Sequence, residues 1–426
     1  MNKFLQEFRE RGYFYQCTDD QKLSDVLNSQ KIKGYIGFDC TAESLHVGSL
    51  MQIMCLRLLQ KHGHQPIVLL GGGTTRIGDP SGKDKTRKIL EEKTIEKNIK
   101  NIKKILEKFL KTKNQDTTPI FVNNYDWLKN LNYISFLRDI GKHFTINKML
   151  SFDSVKLRLD REQSLSYMEF NYMILQAFDF LELNKNYNCL LQIGGSDQWG
   201  NIVNGVDLIK RYSSKEVYGL TTPLITLASG TKMGKTESGA IWLDKNLLPS
   251  YDYWQFWRNI DDRDLFKFMK IFTDISIEEI EKRKNDNIND LKVLLANEAT
   301  KMLHGENESK KCFDQAKKIF LDNSSDEGLP TFKISKNDIN IKNLSDLILS
   351  TKIEKSKSEI KRLIKNNGIK INNIKIEEDL PFLEINLQNK NLLQISNDPY
   401  SLVAGANVLL QSVLALDAAE LQGTQQ

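Results

Sequence analysis

At 426 residues the chain is longer than one compact core usually holds, so two or three domains are expected. Apolar content of 40% and charged content of 27% describe an ordinary water-soluble globular protein, and no run nears the roughly 18 apolar residues of a membrane span. A net charge of +5 permits a polyanionic partner without requiring one.

The five cysteines (Cys17, Cys40, Cys55, Cys189, Cys312) have no C-x-x-C spacing, which speaks against a zinc knuckle and against a disulfide framework. The N-terminal stretch lacks the apolar core of a signal peptide and the acid-poor character of a transit peptide, so a cytoplasmic location is the expectation.

In chain order, residues 34–38 read as a buried strand, and the spacing from His46 through Leu50, Ile53, Met54, Leu58 and Leu59 predicts a helix. Residues 66–70 form a second apolar strand ending in three glycines. A lysine- and glutamate-rich amphipathic helix follows over 91–110, then a more apolar helix over 166–183 and a third strand over 189–193. Strand, helix, strand with glycine at the strand ends is the pattern of a parallel α/β sheet, whose ligands bind at the carboxyl ends of the strands. Beyond about 245 the strand signals stop, and residues 250–320 read as helical. A polar stretch at 323–329 is the best linker. Residues 340–396 form a small basic unit with two helices and, after Asn366-Asn367-Gly368, an alternating strand.

Two phosphate motifs fail on inspection. In the Walker-like Gly78-Asp79-Pro80-Ser81-Gly82-Lys83, the required first glycine falls on Ile77 and Asp84 follows the lysine; Gly71-Gly72-Gly73 lacks dinucleotide-binding spacing. His46-Val47-Gly48-Ser49 is different. A strand ends, a loop carries Thr41, and His46 opens a helix whose first turn contains a glycine, leaving a bare surface at a positive helix end that suits a nucleotide. A single histidine at a helix start is more often structural. Lys232-Met233-Gly234-Lys235-Thr236 adds a glycine-punctuated loop with two lysines three apart, able to close over phosphates, although alone it would pass for a surface turn.

Together the two segments resemble the paired signatures of class I aminoacyl-tRNA synthetases. Further segments are similar to the tyrosyl-tRNA synthetases of bacterial or organellar type: Gly37-Phe38-Asp39, Thr41-Ala42, Ile77-Gly78-Asp79-Pro80-Ser81, Asn123-Asn124-Tyr125-Asp126-Trp127, Phe136-Leu137-Arg138-Asp139-Ile140-Gly141-Lys142 and Gln192-Ile193-Gly194-Gly195-Ser196-Asp197-Gln198-Trp199-Gly200-Asn201. The resemblance covers about residues 1–396. It implies a Rossmann-like parallel-sheet catalytic domain over 1–240, an all-helical anticodon-side domain over 245–325, and a small α+β RNA-binding module of ribosomal-protein type over 340–396.

The resemblance also implies roles. Tyr172, Gln176 and Asp179 share one helix face. Tyr172 and Gln176 would hold the tyrosine ammonium, Asp179 and Tyr35 its phenol hydroxyl, and Asp79 and Gln198 would complete that site. Gly37, Asp39, Thr41, His46, Gly48, Ser49, Gly195, Asp197, Lys232, Lys235 and Thr236 would handle ATP, with Lys83 and Arg87 at the pyrophosphate. Thr41, His46, Lys83, Arg87, Lys232, Lys235 and Thr236 would be the catalytic set. Mg²⁺ is expected with ATP, and no metal held by the protein alone. Tyrosine tRNA would be gripped by Lys357, Lys361, Arg362 and Lys365, and the family implies a homodimer with no membrane association. Rival readings are the tryptophan-specific sister ligase, disfavoured because an indole offers Asp179 and Tyr35 no hydroxyl, and a non-catalytic RNA-binding protein on the same scaffold.

Two departures stand out. The first signature ends in Ser49 where histidine is usual. After Lys390 there is no Lys or Arg, and the family's short final strand with glycine and lysine is missing, so 397–426 reads as an atypical tail of unknown role whose composition points to a frame change or fused sequence.

Overall fold

The expected strands form at Lys33–Asp39 (β2), Gln65–Gly71 (β3) and Cys189–Gly195 (β5), each slightly longer than its apolar run. Three more join them: Gln16–Cys17 (β1), Ile120–Asn123 (β4) and Tyr218–Thr222 (β6). The sheet order is β1-β6-β5-β2-β3-β4, parallel throughout except for β1 against β6. Within it Tyr35 lies between Ile67 and Gln192. The computed structural model describes residues 2–79, 90–162, 164–230, 233–236, 239–321, 331–335, 341–351, 356–365, 368–372, 374–382, 385, 390–395 and 404–411.

The helix Leu50–Lys61 connects β2 to β3 and buries Leu50, Met51, Ile53, Met54, Cys55, Leu56, Leu58 and Leu59, so it is apolar nearly all round and sits inside the fold. The helix Glu92–Phe109, by contrast, buries one stripe (Ile95, Ile102, Ile105, Leu106, Phe109) and leaves its lysines in solvent. The helix Tyr167–Tyr187 is fixed at both ends. Ser166 and Glu169 form a reciprocal capping box at its start, and Asn188 ends it in the left-handed conformation at φ 59°. Glu169 is further held by the buried Arg158 guanidinium at 3.1 Å. Rigidity here matters, because this helix carries Tyr172, Gln176 and Asp179.

The chain falls into two compact units, 1–310 and 311–426. The helical block forms as expected, with helices Ser250–Arg258, Leu265–Phe272, Ile277–Lys282, Ile288–His304 and Glu306–Leu321, and an aromatic core in which Trp257 meets Phe272 at 5.0 Å. Through residue 310 the helical block belongs to the same compact unit as the sheet. The reason lies in the carbonyls that a helix end leaves without partners. Arg11, buried near the N-terminus, donates to the carbonyls of Lys270, Thr273 and Ile275, and the Tyr13 hydroxyl donates to that of Ile271 at 2.6 Å.

In the second unit the helices Leu344–Ser350 and Lys357–Lys365 pack on a five-stranded sheet around Leu344, Leu347, Ile360, Leu363, Ile369 and Leu393. Its strand order is Ile374–Lys375, Ile369–Ile371, Lys390–Ile395, Ala404–Gln411 and Thr331–Ser335. Two boundaries differ from expectation. The module starts earlier than 340, since Thr331–Ser335 is one of its strands. Within 397–426, read as an atypical tail, Ala404–Gln411 forms a strand of this sheet, antiparallel to Lys390–Ile395 and parallel to Thr331–Ser335. The expected linker at 323–329 lies outside the described residues.

Candidate active site

A cavity of about 430 Å³ opens at the carboxyl ends of β2, β3 and β5. It gathers Tyr35, Gly37, Asp39, Thr41, His46, Gly48, Ser49, Asp79, Tyr172, Gln176, Asp179, Gly195, Asp197 and Gln198, residues drawn from points far apart in the chain. Lys83, Arg87 and Lys232 lie outside the described residues. Of Lys235 and Thr236 the backbone is described, as a two-residue strand paired with Gly239–Ala240.

Asp179 is 1% exposed, and its two oxygens accept from different donors: Trp127 Nε1 at 2.7 Å and Asn124 Nδ2 at 2.9 Å. Burial pushes its carboxyl up to about 7, although both hydrogen bonds pull the other way. Tyr35 lies equally deep, its ring 5.3 Å from that of Phe180. Its buried hydroxyl has no hydrogen-bond partner among the described residues, and burial, then the nearby Asp179 charge, hold its proton on. A buried carboxylate and an unsatisfied buried phenol at one cavity wall are suited to a ligand bearing a hydroxyl.

Asn124 and Trp127 belong to a segment that resembles the family, but the sequence assigns neither a role. Asn124 ties the strand ends together: it accepts from Gly73 N–H at 2.7 Å and donates to Thr74 as well as Asp179. The approach is close: a Cβ on Gly73 would lie 2.7 Å from Leu128 Cδ1, and one on Gly72 would lie 2.3 Å from Asn123 Oδ1, so either would have to displace a side chain. The triple glycine that fails as a nucleotide motif therefore lets β3 meet the residues after β4.

Higher on the wall, the Tyr172 hydroxyl donates to the Asp39 carboxylate at 3.3 Å, and Thr74 donates to the same group at 3.2 Å. This brings Asp39, expected on the ATP side, against a residue expected on the amino-acid side. Gln198 donates to Asp79 at 2.9 Å, and Asn201 donates to both Gln198 and Gln176. Asn201 is a further residue to which the sequence assigns no role. Its signal there is position alone, one turn after Gln198.

The two signatures meet. His46 caps a short helical turn, Val47–Ser49, that leads into Leu50–Lys61; its Nδ1 accepts from Gly48 N–H at 3.0 Å. A Cβ on Gly48 would lie 3.0 Å from the Met233 carbonyl, and one on Gly234, at φ 100°, would lie 2.6 Å from His46 Nδ1. The loop glycine thus sits directly on the histidine.

In the second unit, Lys357, Lys361 and Lys365 recur along one exposed helix face that flanks the buried Ile360, Leu363 and Ile364. Lys357 pairs with Asp346 at 2.7 Å, Lys361 lies 3.7 Å from Asp379, and Arg362 pairs with Glu359.

A parallel sheet with a histidine-headed turn under a glycine-lysine loop defines an enzyme class, and comparison with known proteins gives the same one. The chain belongs to the class I tRNA synthetases for tryptophan and tyrosine, whose family model matches residues 27–321. Within that family it falls with the tyrosine–tRNA ligases. The model of the C-terminal domain of those ligases matches residues 322–394. The tyrosine–tRNA ligase of Pelagibacter ubique is 72% identical over 398 residues, covering 93% of this chain and 97% of its own. That of Wolbachia pipientis is 55% identical, covering 88% and 91%. Among solved structures, a C-terminally truncated mitochondrial tyrosyl-tRNA synthetase from Aspergillus nidulans superposes with a TM-score of 0.67 at 30% identity, covering 74% of this chain and 94% of that one.

Proposed function

We infer that the chain activates tyrosine with ATP and transfers it to the terminal ribose of tyrosine tRNA, with substrate tyrosine lying along the Tyr172–Gln176–Asp179 face. The observation that carries this reading is the buried pair Asp179 and Tyr35, because a phenol hydroxyl can donate to the carboxylate and accept from the Tyr35 hydroxyl. A site built to hydrogen-bond a hydroxyl rejects the analogue without one, since its buried partners stay unpaired. This same enzyme class is the standard illustration of the effect, with a known discrimination against phenylalanine on the order of 10⁵.

The ammonium of the substrate would meet the Asp39–Tyr172 pair and Gln176, with Asp79 held in place by Gln198. In the activation step the tyrosine carboxylate attacks the α-phosphorus of ATP, a bond forms to that phosphorus, and pyrophosphate leaves with the bonding electron pair. His46, Thr41 and the loop lysines would stabilise charge on the transferring group more than in the ground state. Lys83 and Arg87 would act on the departing pyrophosphate. Mg²⁺ would come with the nucleotide's phosphates; among the described residues no group of three His, Cys, Asp or Glu could hold a metal. The ribose hydroxyl of the tRNA then attacks the adenylate carbonyl and AMP leaves.

The helical block would serve the anticodon side, and the basic face of Lys357–Lys365 would contact the tRNA backbone, its ion pairs opening as phosphates replace the carboxylates. Self-association is supported by Tyr133, Ile134, Ile146 and Tyr167, which are 57%, 70%, 63% and 66% exposed, large apolar surfaces of the kind that a second copy covers. No helix among the described residues is long and apolar enough to cross a membrane, and a cytoplasmic setting is proposed. The test is ATP–pyrophosphate exchange with single amino acids. Tyrosine should support it and tryptophan and phenylalanine should not; exchange driven by tryptophan would overturn the reading.

A further inference from the structure

His46 does not stand alone at its helix start. Its backbone forms an isolated antiparallel bridge with Trp242, flanked by Val47 N–H donating to the Ile241 carbonyl and Leu243 N–H donating to the Leu45 carbonyl, both at 2.9 Å. The two rings meet edge-to-face, with centroids 6.3 Å apart and planes at 70°. Trp242 is half-buried and lies only two residues beyond Gly239–Ala240, the strand that pairs with Lys235–Thr236. The second limb of the lysine loop therefore runs straight into the segment that holds the histidine.

We propose that Trp242 is a positioning residue for the activation step, fixing the His46 imidazole and linking its orientation to the loop. The inference rests on the reading that His46 acts on ATP. The imidazole is constrained on two sides. Nδ1 accepts the Gly48 N–H, which in the neutral ring puts the proton on Nε2. The indole then packs edge-to-face on the ring and limits its rotation, so that the Nε2 donor keeps one direction. Because His46 also lies under Gly234, a displacement of the loop reaches it both through that contact and through the Ile241–Leu243 bridge. A donor held in place before the reaction needs no reorganisation as charge develops on the phosphate, and this is how a residue outside the cavity lining would affect the rate. No covalent step involves the indole.

The test is a double-mutant cycle on the full chain, with pyrophosphate exchange for rate and equilibrium dialysis for tyrosine binding. Trp242→Ala should lower kcat for exchange by roughly tenfold, the upper range for an edge-to-face aromatic pair, with the tyrosine Kd unchanged. Trp242→Phe, which keeps an aromatic edge or face against the imidazole, should recover most of the loss. His46→Gln should lower kcat strongly, and adding Trp242→Ala to it should cost nothing more, because the indole acts only through the imidazole. Losses that multiply in the double variant would overturn the proposal, as would a tyrosine Kd that rises in step with the kcat loss, or a Trp242→Phe variant as slow as Trp242→Ala. If His46→Gln leaves exchange unimpaired, the reading of His46 fails, and the role of Trp242 fails with it.

Discussion

Tyrosine binding should weaken below pH 7, and Asp179 sets both the direction and the size of the effect. Burial raises its carboxyl from the ordinary range to about 7. In the proposed site the phenol hydroxyl of the substrate would donate to the ionised form, so binding would compete with protonation. A group titrating at 7 is about 90% ionised at pH 8 and about 10% at pH 6, and affinity should fall about tenfold between them, or about 1.4 kcal/mol. The sign follows from the raised pKa: an unshifted aspartate would be fully ionised throughout this window and would give no dependence. The assay is equilibrium dialysis of tyrosine from pH 8 to pH 6, with phenylalanine as the control that lacks a hydroxyl. Phenylalanine binding should not weaken as the pH drops, and Asp179→Asn should flatten the tyrosine profile. A tyrosine Kd constant to within twofold across the range would refute the argument.

Trp127→Phe removes the 2.7 Å donor to Asp179, and a hydrogen bond to a charged group is worth about 1.5 kcal/mol or more, so the kcat/KM preference for tyrosine over phenylalanine should fall by at least about tenfold. Its pH threshold for tyrosine binding should also move upward, since a bond that favours the ionised form is gone. Gly234→Ala forces a side chain at φ 100° to within 2.6 Å of His46 Nδ1; displacement of the signature pair should lower activation on the order of 10²-fold while tyrosine binding, measured by dialysis, stays within twofold. Arg11→Ala strips the buried donor from three carbonyls and from Glu7, a change expected to destabilise the first unit by about 3 kcal/mol in urea unfolding, with near-normal tyrosine affinity in the folded fraction.

Much of the site is legible because its residues sit at strand ends and helix starts that periodicity locates. His46 after β2 and the i, i+4, i+7 face of Tyr172, Gln176 and Asp179 are local patterns, and the fold brings them to one cavity. What the sequence conceals is mostly a matter of partners far away in the chain. Nothing in the neighbourhood of Asn124 or Trp127 tells that they will donate to a carboxylate some fifty residues on. Trp242 looks like any aromatic in a short apolar run until the bridge to His46 is seen. The strands that periodicity misses have a different cause. Tyr218–Thr222 carries three polar or glycine residues yet is buried throughout, so its apolar signal is weak although both faces are covered. The helical block is plain in the sequence as helices, but not its union with the sheet, because the arginine that joins the two lies at the other end of the chain.

The parallel pairing of Thr331–Ser335 with Ala404–Gln411 also bears on how the second unit is made. Among the described residues the earlier strand has no other neighbour in its sheet, so when it leaves the ribosome it must wait for about seventy more residues before its pairing edge exists. Closing so long a loop is entropically slow, and contacts of this kind delay folding more than they affect final stability. During synthesis the two helices and the strands from Ile369 to Ile395 can associate first, with an open edge along Lys390–Ile395 until Ala404–Gln411 arrives. Completion of the second unit's sheet is thereby timed to a late stretch of translation.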